Sequence, residues 1–338
     1  MFEERVLTRV EDLQTIRADW EQLFEDCPWA TPFQTPAWQI AWWNELGGGE
    51  LRLITLWGGR RLVALLPMFL WGDPGARRLS FVGAGISDYQ DALVAEDARE
   101  EGTRRLLGAL ASLDDEYAAC EIEDVPYGSP LLSTPPPPGV RIQVEEIGAS
   151  LNVPLPASFA ELERGLPWRF RRSLRTARNH LERAPCVEWV LASRDEVDDL
   201  ISELFRLHRL RWQSRRESGV LWDARVQAFH RTAARLLSES GRLRLWGLRL
   251  RGAFVAILYG FEHRGRTFAY LTGFDPGAEA LSPGVAILRR AIEHAIAAGG
   301  SEFDMLRGNE AYKYRWNARE RMRYRLHLVC DGSQSARG

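Results

Sequence analysis

LRLITLWGGRRLVALLPMF, residues 51–69, and LRLWGLRLRGAFVAILYGF, residues 243–261, align without a gap at a shift of 192 residues. Leu51 falls on Leu243, Leu53 on Leu245, Val63 on Val255, Ala64 on Ala256 and Phe69 on Phe261. Each stretch reads as two apolar strands joined by a Gly/Arg turn. Self-similarity at one fixed spacing is the mark of a duplicated unit.

The flanks agree in order. After each strand pair comes a further strand, RRLSFVG (77–83) and RTFAYLTGF (266–274), then a loop, a helix and a strand. The helices are DAREEGTRRLLGALASL and VAILRRAIEHAIAAG, and the strands AACEIEDV and SEFDML. Helical stretches precede both pairs, EDLQTIRADWEQLFED and TPAWQIAWWNEL in the first half, RDEVDDLISELFRLHRLRW and DARVQAFHRTAARLLSES in the second. Chance amphipathic similarity would match residue types without keeping the order of elements. The pattern predicts an α/β protein with mixed α+β sheets, built from two tandem units. The proline run of YGSPLLSTPPPPGVRIQ is a surface connector, which puts the domains at 1–150 and 151–338.

The 338 residues are 45% hydrophobic and 27% charged, a mixture that buries real cores. A formal net charge of −2 argues against coating nucleic acid or anionic membrane with the whole surface, so any basic recognition is local. No apolar run has the length of a membrane span and the N-terminus lacks a signal-peptide pattern, which predicts a cytoplasmic protein. Cys27, Cys120, Cys186 and Cys330 are scattered without metal-ligand spacing to the six histidines. The expectation is reduced, structural cysteines and no metal.

Four stretches carry candidate chemistry. In YLTGFDPGAEALSPGVAILRRAIEHA (270–295) a strand ends near Gly273 and a helix opens at Ser282-Pro283-Gly284, with Ser282 a favoured N-cap and Pro283 suited to the first turn. The positive dipole end of such a helix suits a phosphate, although a well-capped surface helix has the same sequence. FDMLRGNEAYKYRW (303–316) gathers Asp304, Glu310, Tyr312 and Lys313 just past a strand end, and Lys313 is the sole lysine among 44 Lys plus Arg. Lysine is a compact point charge where arginine is a planar fork. PWRFRRSLRTARNHLER (167–183) buries Phe170, Leu174, Ala177 and Leu181 at helical spacing and sets Arg171, Arg175 and Arg178 on a neighbouring face, suited to phosphate or carboxylate. LFRLHRLRWQSRRESG (204–219) places His208 and Trp212 one turn apart, a candidate base or a packed histidine.

Taken together, YLTGFDP…SPG…FD.L.G.E.YK..W, the earlier LH..RW and the N-terminal TPFQTPAW resemble the GNAT-type acyltransferases known as CelD-like, named for cellulose biosynthesis. The resemblance covers nearly the whole chain and implies two tandem GNAT folds, similar in layout to Fem-type peptidyltransferases that use aminoacyl-tRNA. It also implies acetyl-CoA or another acyl-CoA as co-substrate. Tyr270, Gly273 and Phe274 would then line the pantetheine strand, and Ser282, Pro283, Gly284, Val285 and Ala286 would hold the pyrophosphate. The usual Arg/Gln-x-x-Gly-x-Gly/Ala loop is replaced by Leu281–Ala286, and the first half has GAGISDYQD (83–91) at the matching place, so that half is expected to lack a donor site.

The chemistry then expected is acyl transfer to an amine or hydroxyl of a sugar, polysaccharide precursor or other small acceptor. Glu310 or Asp304 would act as base with His208 behind them, Lys313 as oxyanion or ligand cation, and Tyr312 as acid to the thiolate. His208, Trp212, Arg171 and Arg175 would bind the acceptor. The alternatives are a Fem-type transferase with tRNA on Arg169 to Arg178, and a non-catalytic binding module of an exopolysaccharide assembly system.

Overall fold

A computed structural model of the protein describes residues 2–214 and 219–330. In chain order the elements of the first half are β1 (Glu3–Leu7), α1 (Val10–Thr15), α2 (Arg17–Asp26), α3 (Pro36–Leu46), β2 (Glu50–Gly58), β3 (Arg61–Trp71), β4 (Arg78–Phe81), β5 (Leu93–Val94), α4 (Arg99–Ala111), β6 (Ala119–Pro126), α5 (Pro130–Ser133) and β7 (Val140–Pro154). The second half has α6 (Phe159–Gly165), α7 (Trp168–Arg183), β8 (Val187–Leu191), α8 (Val197–Ser214), α9 (Ala224–Glu239), β9 (Leu243–Leu250), β10 (Ala253–His263), β11 (Arg266–Phe274), α10 (Pro283–Ala297), β12 (Glu302–Arg307), α11 (Ala311–Tyr314) and β13 (Arg319–Cys330).

Two compact units form. One is Met1–Gly148 together with the chain from Met322 on; the other is Ala149–Arg321. The sequence reading ran the second domain to residue 338, whereas β13 pairs with β6 through Arg323↔Pro126 and Leu328↔Cys120 and so lies in the first unit.

The units share one topology. In the first, β1-β2-β3-β4 are antiparallel neighbours and β4 then pairs with β6 in parallel through the crossover helix α4. In the second, β8-β9-β10-β11 are antiparallel neighbours and β11 pairs with β12 in parallel across α10. These are mixed α/β folds, as the duplicated pattern predicts. The strands expected at 77–83 and 266–274 form at Arg78–Phe81 and Arg266–Phe274.

In the second unit the apolar run Phe254–Phe261 is buried throughout because helices cover both sides of β10. Ala256 and Leu258 join the core made with α7 and α10, while Tyr259 turns the other way toward His230 of α9. The first unit has its own core, where Leu106, Leu107 and Leu110 of α4 meet Ile54, Leu56, Leu66 and Met68 of β2 and β3. Among the described residues no helix is long and apolar enough to cross a membrane, and no group of three His, Cys, Asp or Glu side chains is placed to hold a metal ion.

Candidate functional site

The site begins where two strands part. β11 and β12 keep parallel register only over Arg266↔Glu302, Thr267↔Phe303 and Phe268↔Asp304. Beyond Phe268 no register pairs join them, which opens a gap between Ala269–Phe274 and Met305–Arg307. β11 also carries a bulge beside the gap, since Leu271 faces Tyr259 and Ala269 faces Gly260 while the register steps over Tyr270. A bulge re-aims the backbone locally.

β12 has its own irregularity. Its register against β7 jumps from Asp304↔Asn152 to Arg307↔Ser150, and Leu306 takes a left-handed φ of 58°. The Asp304 carboxylate, fully buried, accepts the Leu306 N–H at 2.7 Å. This bond holds the bulge in place. Asp304 is therefore placed as a brace of the strand end and is remote from solvent, which does not suit the base role expected of it.

Lys313 is buried on the short helix α11. Its Nζ donates to the carbonyls of Arg307 at 2.6 Å and of Leu306 and Gly308 at 3.4 Å, and it pairs with Glu310 Oε2 at 3.0 Å. Three carbonyls from successive residues converge on one point, which a tetrahedral ammonium can satisfy and a planar guanidinium cannot. The lone lysine thus staples the turn after β12. The expected oxyanion or ligand contact would have to displace one of these carbonyls.

Glu310 and Tyr312 stand on the outer side of the same turn, both exposed. Gly308, at φ 108°, leaves room for the Glu310 carboxylate, because a Cβ there would lie 2.4 Å from Oε2. The Tyr312 hydroxyl is pushed up to about 12 by desolvation and by the Glu310 carboxylate, with the Arg211 guanidinium opposing. It stays protonated near neutral pH.

Across the gap the start of α10 is packed under Phe274. A Cβ on Gly284 would meet the Phe274 ring at 3.2 Å, and Arg211 stacks on that ring at 4.7 Å while donating to the Thr272 carbonyl at 3.3 Å. Ser282 occupies the N-cap position in a left-handed conformation, φ 50°, without a side-chain cap. Its carbonyl takes the Val285 and Ala286 N–H groups at 3.0 Å each. Pro283 has no N–H and Val285 turns back, so this helix start offers less to an anion than the sequence pattern promised.

His208 is also placed differently from expectation. It is buried, and its Nε2 accepts the Trp212 Nε1–H at 2.8 Å, which leaves the proton on Nδ1. Desolvation, helped by Arg211, pushes its pKa down to about 4. With its lone pair engaged it is a packing residue of α8, and it serves neither as base nor as acceptor contact in this arrangement. Gly219 packs against this pair, and the residues between Ser214 and Gly219 of the same motif lie outside the described ones.

Arg171, half-buried, and Arg175, exposed, stand on α7, which is anchored to the turn after β12. Phe170 packs edge-on against Trp316 at 4.9 Å, and Asn317 Nδ2 donates to the Gly165 carbonyl at 2.6 Å. At its other end His180 Nδ1 contacts the Ala280 carbonyl at 2.9 Å, just before α10. Arg211 and the two bulges were not singled out by the sequence, and Trp316 entered only as the last residue of the YK..W pattern. Arg211 was within the quoted LH..RW motif, but nothing local to a motif shows that a guanidinium will stack on a ring sixty residues away.

Residues 169–314 match the family described as Acetyltransferase (GNAT) domain. In structure the chain is similar to FemX, at a TM-score of 0.69 and 11% identity over 98% of each chain. It is also similar to the C-terminal domain of a putative lysylphosphatidylglycerol synthetase from Agrobacterium fabrum, at 0.57 and 11% over 96% of this chain and 93% of that one. A tandem GNAT protein from the clavulanic acid biosynthesis pathway gives 0.51 and 16% over 98% and 99%. No curated protein matches the sequence. These likenesses carry the fold: a GNAT-type acyltransferase architecture, present twice in tandem.

Proposed function

Starting from a chain of two GNAT-type folds, we propose that the second unit transfers an acyl group from acyl-CoA to an amine or hydroxyl of a small acceptor, a sugar or polysaccharide precursor. The observation that carries this is the gap between β11 and β12 with the Tyr270 bulge on its edge. A pantetheine arm lies along such an opened strand, and strand backbone polarises the thioester carbonyl.

In this reading Glu310 takes the proton of the attacking amine or hydroxyl as the new bond to the acyl carbon forms. The tetrahedral intermediate expels the thiolate, and Tyr312, protonated and close to Arg211, supplies the proton that yields the free thiol. Asp304 and Lys313 are positioning residues that fix the turn bearing Glu310 and Tyr312. Gly273, Phe274 and Ser282–Ala286 bound the donor side. The donor's phosphates draw modest help from the α10 start, where Pro283 and Val285 leave few N–H groups facing outward.

A second reading, aminoacyl-tRNA as donor in the Fem manner, is favoured by the end-to-end likeness to FemX. One experiment separates the two. Purified protein is titrated calorimetrically with acetyl-CoA and longer acyl-CoAs, and thiol release is followed for the parent, Glu310→Gln and Tyr312→Phe. The expected result is saturable acyl-CoA binding, with Glu310→Gln lowering turnover by about 100-fold or more while the fold persists. Absence of binding by every acyl-CoA sinks the coenzyme reading and leaves the aminoacyl-tRNA one. Binding with no turnover by any acceptor tried is what a non-catalytic module would give.

A further inference from the structure

The acyl-transfer reading gives the proton work to two side chains and leaves a charge unbalanced. When Glu310 takes the acceptor's proton and Tyr312 gives its own to the sulfur, Tyr312 is left as a phenolate beside a carboxyl group. An anion formed there is stabilised only by a cation facing it. The Lys313 ammonium is engaged elsewhere, by the carbonyls of Leu306, Arg307 and Gly308 and by Glu310 Oε2.

Arg211 is placed to be that cation. It lies on α8 about one turn beyond His208, whose backbone nitrogen packs on β11 at Gly273. Its guanidinium stacks on the Phe274 ring at 4.7 Å and donates to the Thr272 carbonyl at 3.3 Å, both in the part of β11 that β12 does not pair. From that edge of the gap its charge is felt at the Tyr312 hydroxyl, on the turn that follows β12. Tyr312 is 41% exposed as a residue, yet desolvation is the largest influence on its hydroxyl, so the ring meets solvent while the oxygen turns inward. Arg211 thus binds the donor edge and faces the acid on the opposite side.

The neighbouring groups do not offset its charge. Desolvation pushes the pKa of buried His208 down to about 4 and that of buried His230 on α9 down to about 3, so both are neutral at neutral pH. On the turn Pro276–Leu281, which packs against α8, Glu279 is exposed, and Asp275 just before it accepts the Gly277 N–H at 2.8 Å. Besides desolvation, two groups act on the Tyr312 hydroxyl: the Glu310 carboxylate, which opposes its ionisation, and the Arg211 guanidinium, which favours it.

We propose that Arg211 is a positioning residue of the reaction, which turns the Tyr312 hydroxyl toward the donor edge and balances the phenolate until a proton returns from Glu310. This rests on the acyl-transfer reading. The steps close on themselves. The acceptor's N–H or O–H proton passes to the Glu310 carboxylate as the new bond to the acyl carbon forms. The C–S bond then breaks with its electron pair on sulfur, and the Tyr312 proton goes to that sulfur to give the free thiol. The Glu310 proton finally passes to the Tyr312 oxygen, a downhill step because a carboxylic acid is a far stronger acid than a phenol. Both residues end as they began.

The test places a nitrotyrosine at position 312 of the full chain, since its phenol ionises near neutral pH and reports by absorbance. Removing a facing cation disfavours the phenolate, so Arg211→Gln and Arg211→Met should each move that ionisation up by about one pH unit or more, while Arg211→Lys keeps most of the parent value. Glu310→Gln should move it down. In the chain with tyrosine at 312, Arg211→Gln should lower kcat for thiol release by about tenfold or more and change KM less, with partial rescue in Arg211→Lys. An ionisation indifferent to both charge-removing variants overturns the inference. Failure of both to fold where Arg211→Lys folds also overturns it, because Arg211 would then serve the fold alone. Acyl-CoA that does not bind the parent counts against the donor reading only, since the absorbance titration needs no donor and judges the pairing of Arg211 with Tyr312 by itself.

Discussion

The ammonium of Lys313 sits among three backbone carbonyls and one carboxylate in a place that is 3% exposed. Replacing it with methionine would leave those carbonyls buried and unpaired, at about 1–3 kcal/mol for a group left without its donor. Lys313→Met should therefore destabilise the second unit by about 3 kcal/mol, and Lys313→Arg by about 2 kcal/mol through overpacking, both read by urea denaturation. Unchanged stability with lost acyl-CoA binding would instead make Lys313 a ligand contact. The sequence singled this residue out as the sole lysine among the basic residues. It could not show why: convergence of three carbonyls depends on the Leu306 bulge, and a left-handed leucine leaves no trace in residue type. Asp304 was legible as a strand-end carboxylate for the same reason and illegible as the brace of that bulge.

Among elements, the helices and inner strands were readable and the outermost strands were not. β10 and β3 carry long apolar runs, Phe254–Phe261 and Leu62–Leu70, so their burial between helices is written in composition. β1 and β8 lie at sheet edges with five residues each, EERVL largely exposed and VEWVL half-buried, too short to announce a strand. The gap between β11 and β12 was not anticipated, since no local pattern encodes where two ladders part. One glycine on that edge carries a specific load. A Cβ at Gly273 would lie 2.9 Å from the His208 nitrogen and 3.0 Å from the Leu204 carbonyl, so α8 rests directly on the β11 backbone there. Gly273→Ala should push the helix off the strand, cost about 1–3 kcal/mol and lower acyl-CoA affinity. Wild-type melting and binding in that variant would show that α8 tolerates the shift.

For the molecule as a whole, the duplication explains why two units share one strand order, and the sequence carried that much. It did not reveal that β13 leaves the second unit. β13 adds Arg323 to the buried Asp124 carboxylate and Leu326 to the core built on α4, β2 and β3. A chain ending at Arg321 loses that strand and exposes Asp124 to burial without its guanidinium, a situation that costs about 3–5 kcal/mol. Hydrogen exchange resolved by peptide should then show faster exchange across Met1–Gly148 and little change within Ala149–Arg321. Equal loosening of both halves would mean that the units do not hold their stability separately.

That same strand sets an order on synthesis. Residues 149–321 are contiguous and can pair their strands as soon as they are made, but the first-made unit waits for β13 before β6 gains its second neighbour. Domains usually fold in the order they emerge. Here the later-born unit is finished first, and the N-terminal unit keeps an open edge at β6 until β13 has been made.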